Sequence, residues 1–182
     1  MAEMALENSI FDPELLKNSY TDELIMGMKD FYKFKLRPLC ATDMNKRYVE
    51  LLSQLTSTGH ITEQMFLNKF YEMKNNVGTY YITVIEDTQI NVIVASGSLV
   101  LEKKFIHSCG QRGRIEDVIV DDLYRGKGFG KLIVQNLIAL SRILNCYKIS
   151  LECKDTNVNW YSSMGFITEH GNSNFMQMRH DE

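Results

Sequence analysis

Three β-rich runs, residues 79–85, 92–105 and 113–120, follow one another with no helical pattern between them. Strands joined by short polar links pair antiparallel, whereas parallel neighbours need a crossover of roughly a dozen residues. This succession excludes a regular parallel doubly wound sheet. Residues 86–91 join the first two runs into an antiparallel hairpin. Upstream, Tyr32, Phe34 and Leu36 alternate with Lys33, Lys35 and Arg37, which predicts a strand over 32–39 with one buried face. Thr42 is placed to cap a helix with Met44, Leu51, Leu52 and Leu55 on one side. After a break at 57–59, a second helix starts near Thr62. Its Met65, Phe66, Phe70 and Met73 recur at helical spacing and read as core.

Downstream, helical spacing returns over 131–144, a strand over 147–153, and a short helix over 155–164 ended by Gly165. Two terminal strands are expected at 166–169 and 174–179. The predicted fold class is α/β (α+β), a mixed central β-sheet flanked by helices. Residues 1–30 read as an N-terminal arm and 31–182 as one domain, with Asp12-Pro13 opening a short helix to Lys17.

A chain of 182 residues suffices for one such domain. Its net charge of -3 speaks against a broad nucleic-acid surface. The first ten residues carry Glu3 and Glu7 and do not read as a secretory signal. The longest uncharged run, 88–101, is too short to span a bilayer, so a cytoplasmic location is the expectation. Cys40, Cys109, Cys146 and Cys153 form no C-x-x-C pair. They read as buried reduced thiols, and no metal is expected.

The segment Arg125-Gly126-Lys127-Gly128-Phe129-Gly130 follows an apolar strand and an acidic turn, Asp121-Asp122, and opens a helix. Glycines at alternating positions let backbone approach a ligand closely. Free amides at a helix start, with the helix dipole behind them, favour an anion. Arg125 and Lys127 add positive charge. The spacing is neither that of a Walker loop nor the G-x-G-x-x-G of a dinucleotide-binding unit.

This loop resembles the acetyl-CoA signature of the GCN5-related N-acetyltransferases, and the element order is similar to that superfamily's. The blocks Lys104-Phe105-Ile106-His107, 113–118, 145–148, 157–161 and 176–179 occur in order. Their succession over about 31–180 resembles the family of glucosamine 6-phosphate N-acetyltransferases. The resemblance implies acetyl-CoA as cosubstrate, glucosamine 6-phosphate as acceptor, and a place in UDP-N-acetylglucosamine biosynthesis. It also implies a homodimer whose C-terminal strand crosses to the partner, and endomembrane association at most peripheral. For the cofactor it implies Glu116, Asp117 and Val118 along the pantetheine arm, with Gly126, Lys127, Gly128, Phe129, Gly130 and Lys131 at the pyrophosphate. Glu152 and Tyr161 fall at the thioester end, and Asn157 is a further cofactor-binding position. Some relatives have Asp where this chain has Glu152.

For the sugar phosphate the matching positions are Thr56, Lys104, Phe105, Ile106, His107, Glu116, Asp117, Tyr147, Lys148 and Arg179. On a regular strand Glu116 and Asp117 point to opposite faces, so both serve one site only if the strand bulges or its backbone binds. The implied reaction is direct acyl transfer in a ternary complex. Glu116 is the first candidate for proton acceptor and Asp117 the second, and Tyr161 stabilises or protonates the thiolate. Two other readings share the loop: an acetyltransferase for another small amine, and a non-catalytic acyl-CoA-binding module.

Overall fold

The computed structural model describes residues 8–17, 31–169, 171 and 176–178. Five strands form one sheet in the order of the chain: β1 (Phe34–Pro38), β2 (Tyr80–Asp87), β3 (Val92–Lys103), β4 (Gln111–Val120) and β5 (Cys146–Leu151). The first four pair antiparallel and β5 joins β4 in parallel, as the intervening helix permits. Among the described residues, and apart from the short segment Ile106–Cys109 with its left-handed residues, the helices are α1 (Glu14–Lys17), α2 (Tyr48–Ser53), α3 (Glu63–Asn75), α4 (Phe129–Ile143) and α5 (Val158–Ser162). The mixed sheet flanked by helices agrees with the expectation from sequence.

Two buried clusters lie on the two faces of the sheet. Leu132, Ile133, Val134, Leu137 and Leu140 of α4 meet Ile85, Val94, Leu99, Leu101 and Ile115. On the other face, Tyr48 and Leu51 of α2 and Phe66 and Phe70 of α3 cover Ile82, Val84, Ile93 and Ile119. Within residues 1–30, Ile10 and Leu16 are buried, and Ile10 donates its N–H to the Leu39 carbonyl at 2.9 Å. This part of the arm is therefore built into the domain.

Several local expectations change. Residues 31–33 form a 3-10 turn ahead of β1, and Tyr32 is exposed. Thr42 makes no side-chain cap; a 3-10 turn over Asp43–Lys46 follows it, and left-handed Arg47 separates that turn from α2. The cause is Asp43, fully buried, whose carboxylate accepts from Arg37 and from the Cys40 N–H and winds the chain around itself. Leu55 lies beyond α2 and is exposed.

Thr62 does cap α3, its hydroxyl accepting the Met65 N–H at 3.2 Å, but Met65 itself is exposed at that helix start. Cys109 and Cys153 are exposed while Cys40 and Cys146 are half-buried, because the first two sit on turns beyond the strand ends; all four are free. Residues 166–169 form no strand, and among the described residues β5 is paired only with β4. Of 174–179, only 176–178 are described, and they too are outside any strand.

Candidate active site

The site begins where β4 leaves β5. The parallel ladder runs from Gln111↔Cys146 to Ile115↔Leu151 and stops, while β4 continues to Val120 against β3. Asp117 there has φ 52°, and the register against β3 jumps from Ser98↔Glu116 to Ser96↔Ile119. Two residues, Asp117 and Val118, thus face Gly97 alone, which is a β-bulge. The bulge reverses side-chain alternation. Before it, Ile115 packs under α4; after it, Val118 and Val120 do, and Ile119 turns to the opposite face. The bulge expected as the condition for both Glu116 and Asp117 to serve one site is present.

Glu116 accepts from Arg114 Nε, and Arg114 Nη2 also donates to Glu152 Oε1 at 2.6 Å. One guanidinium thereby ties the carboxylates at the diverging ends of β4 and β5. The bond to Glu116 first, and the charges of both carboxylates after it, raise the Arg114 pKa further. The Asp117 carboxyl is pushed above its ordinary range, first by removal from water and then by the charge of Glu116, although the residue as a whole reaches solvent.

On the far side of the gap, Gly126 (φ 77°) and Gly128 (φ 88°) occupy left-handed conformations, and a Cβ at Gly126 would meet nothing within 4 Å. These two positions are where the loop needs glycine. Gly128 is the N-cap of α4 with no side-chain cap, so the first-turn amides keep their donors for a ligand. Phe129, buried to 1%, anchors the helix start, which comes two residues earlier than predicted. Lys127 Nζ lies over the Tyr124 ring at 4.4 Å, and the Tyr124 hydroxyl donates to Asp87 Oδ2 at 3.0 Å. Lys131 is exposed. A Cβ on Gly130 would stand 3.4 Å from Trp160, so α5 borders this loop. Asn157 ends the 3-10 turn before α5. Tyr161 is buried against Trp160 and Phe166, and burial first, then Cys153, raises its hydroxyl pKa.

Part of the set of acceptor candidates, residues 104–107 with Tyr147 and Lys148, lies at the other end of β4. His107 stacks on Tyr147 with centroids 4.1 Å apart. His107, Ser108 and Cys109 are all left-handed, which folds 104–110 into a tight turn closed by the Lys104 N–H to the Gly110 carbonyl at 2.9 Å. Phe105 and Ile106 project from it, 96% and 63% exposed. Lys104 Nζ contacts Glu102 Oε2 at 2.6 Å, and Arg112 contacts the same carboxylate at 2.8 Å. Lys148 pairs across the ladder with Arg112 and is exposed. Residues 102, 104, 112, 114 and 116 alternate onto the face away from α4, in the part of the sheet that α2 and α3 leave open. Thr56 lies in the segment after α2, its N–H donating to the Leu52 carbonyl at 3.3 Å. Arg179 lies outside the described residues.

Arg112, Arg114 and Gln54 are functional candidates that the sequence reading passed over. The signal for Arg114 was its spacing, two residues from Glu116 on a strand and hence on the same face.

The sequence profile of the acetyltransferase (GNAT) family matches residues 45–166. A probable glucosamine 6-phosphate N-acetyltransferase of Drosophila melanogaster is 44% identical, over 100% of this chain and 86% of the relative. A glucosamine 6-phosphate N-acetyltransferase of Arabidopsis thaliana is 41% identical, over 72% of this chain and 89% of its own length. The crystal structure of glucosamine-6-phosphate N-acetyltransferase from Arabidopsis thaliana superposes with a TM-score of 0.77 at 38% identity, covering 81% of this chain and 99% of that one.

Proposed function

Because the chain belongs to the GNAT acetyltransferase family, we propose that it transfers the acetyl group of acetyl-CoA to the amine of glucosamine 6-phosphate. The products are N-acetylglucosamine 6-phosphate and CoA. The observation that carries this reading is the parting of β4 from β5 after Ile115, with an uncapped helix N-terminus beside the gap and a charged sheet face below it. The 44% and 41% identical relatives bear names that specify this acceptor.

The pyrophosphate sits on the amides of 126–131, and the pantetheine arm pairs with the backbone of 116–118, which β5 leaves free. Val118 N–H then polarises the thioester carbonyl. The sugar amine, in its neutral form, attacks the carbonyl carbon; its proton passes to a carboxylate, and the carbon–sulfur bond breaks. Asp117 is the better acceptor of that proton. Its carboxyl holds a proton more readily than usual, whereas the Glu116 carboxylate is already engaged by the Arg114 guanidinium. Glu116, with Glu152 and Arg114, shapes the site around the amine. Tyr161, kept protonated by burial, supplies its proton to the departing thiolate.

Lys148, Arg112 and Lys104 receive the phosphate, joined by Arg179, which comes from the second subunit of a homodimer with exchanged C-terminal segments. His107 and Tyr147 wall the sugar, with Phe105 and Ile106 beside it and Thr56 opposite. The enzyme works in the cytoplasm and feeds UDP-N-acetylglucosamine synthesis. Among the described residues no helix is long and apolar enough to cross a membrane.

A thiol-release assay with glucosamine 6-phosphate, glucosamine and a panel of amines tests the proposal. Turnover with glucosamine 6-phosphate above all other amines is the expected result. Release only with another amine overturns the acceptor, and acetyl-CoA binding without release overturns catalysis. Lys148→Ala is expected to raise KM for the sugar phosphate with little change in kcat. An equal loss with unphosphorylated glucosamine overturns the phosphate assignment.

A further inference from the structure

Gln54 follows α2 directly and stands two residues before Thr56. Its side-chain amide reaches a segment nearly seventy positions away in two directions at once. Nε2 donates to Asp121 Oδ2 at 3.0 Å, and Oε1 accepts the backbone N–H of Asp122, also at 3.0 Å. Asp121 is 8% exposed, and it is the post from which the glycine loop leaves the sheet. Its N–H donates to the Val94 carbonyl at 2.9 Å, and its own carbonyl accepts the Tyr124 N–H at 2.8 Å. Its second carboxylate oxygen accepts the Leu123 N–H at 3.0 Å. The 3-10 turn it organises, Asp122–Tyr124, runs straight into Arg125 and Gly126.

Donor and acceptor groups on one side chain are what this clasp requires, and an amide offers both. A carboxylate would oppose Asp121, and an apolar chain would leave a buried oxygen of Asp121 without its donor. The clasp ties the segment carrying Thr56 to the loop that receives the pyrophosphate.

We infer that Gln54 is a positioning residue that couples the two substrate sites: ordering the loop around CoA also orders residues 54–58, and occupancy of either site favours the other. This rests on the donor and acceptor assignments above. Such coupling is reciprocal by thermodynamic necessity.

The test is calorimetric titration of CoA with and without saturating glucosamine 6-phosphate, and the converse, on the full chain. The wild type is expected to show the same several-fold tightening in both directions. Gln54→Met, close in length but without hydrogen bonds, is expected to bring that factor near one. Gln64→Met, which removes a bond to Asn68 on the exposed side of α3, is expected to leave it unchanged. Gln54→Glu provides a second variant: coupling is weak at neutral pH and recovers as the carboxyl protonates and regains a donor.

Wild-type coupling retained in Gln54→Met, or absent from a wild type that binds both ligands, overturns the inference. A purely structural Gln54 lowers the melting temperature and leaves the ratio intact, which counts against it equally. If the wild type does not bind glucosamine 6-phosphate, the acceptor reading itself has failed and the coupling falls with it.

Discussion

Asp117 carries a left-handed backbone in the middle of a strand, a conformation that Asp and Asn tolerate better than most residues. Burial and the Glu116 charge raise its carboxyl pKa, and this has opposite consequences for stability and for activity. A carboxyl with a folded pKa above the unfolded one binds extra protons when folded, so stability falls as pH rises through that window. Asp117→Asn removes the penalty: it is expected to raise the melting temperature at neutral pH while lowering kcat by at least about tenfold. In the wild type, kcat/KM should lose activity on an acid limb above the ordinary carboxylate pKa of about 3.9, and that limb should vanish in Asp117→Asn. Glu116→Gln should retain the limb. If Glu116→Gln removes it instead, the base is Glu116. Tyr161→Phe is expected to lower kcat about tenfold, equivalent to about 1.4 kcal/mol of transition-state stabilisation, with CoA affinity nearly unchanged. An unaltered kcat removes the acid role.

At the scale of elements, the glycine across from the bulge lets β3 lie close against α4. Gly97 of β3 faces Asp117 and Val118, and a Cβ there would come within 2.5 Å of Ile133 Cγ2 and 3.2 Å of Leu137 Cδ1 on α4. Helix and strand are both held by a closely packed core, so neither can give way freely. Gly97→Ala is expected to destabilise the fold by about 1–3 kcal/mol in denaturant melts. Combined with Ile133→Ala, which clears the space, the losses should be less than additive; full additivity would show that the contact is not the cause. Gly97 also marks where the sequence stopped being legible. The alternation in β1, the β-rich runs of β2 and β3, and the spacing in α4 could all be read because each reports a local pattern. The bulge is a mismatch between two strands, and neither strand's own pattern records it. Asp43 defeated the expected cap at Thr42 in the same way, since its partner Arg37 belongs to another element. The glycine loop was readable because its chemistry is contiguous. Gln54 was not, because its two partners lie at residues 121 and 122.

Among the described residues, two buried cores hold the fold together with a largely buried ionic cluster. Arg37 bonds both oxygens of Asp43 at 2.7 Å and Glu86 Oε2 at 2.7 Å, and Lys46 Nζ meets Glu86 Oε1 at 2.6 Å. These groups join β1, β2 and the turn before α2, so they set how the α2 layer sits on the sheet, and through α2 where Gln54 stands. Asp43 is fully buried, and the Glu86 and Arg37 side chains are only 9% and 12% exposed, so solvent screening is weak. Burial alone would raise the Glu86 pKa, but the bonds from Lys46 and Arg37 outweigh it and leave the carboxylate below its ordinary value. A group with a depressed folded pKa stabilises the fold above its unfolded pKa and loses that contribution as pH falls through the folded one. The wild type should therefore lose stability as pH drops below the free carboxylate value of about 4.3. Glu86→Gln keeps the shape and removes the charge. At pH 7 it should melt earlier than the wild type, and the gap between the two should narrow steadily as pH falls through the acid range. Thermal melts across pH 3–7 measure this directly. A gap that stays constant with pH would show that the cluster acts through packing and hydrogen bonding rather than through ionisation of Glu86.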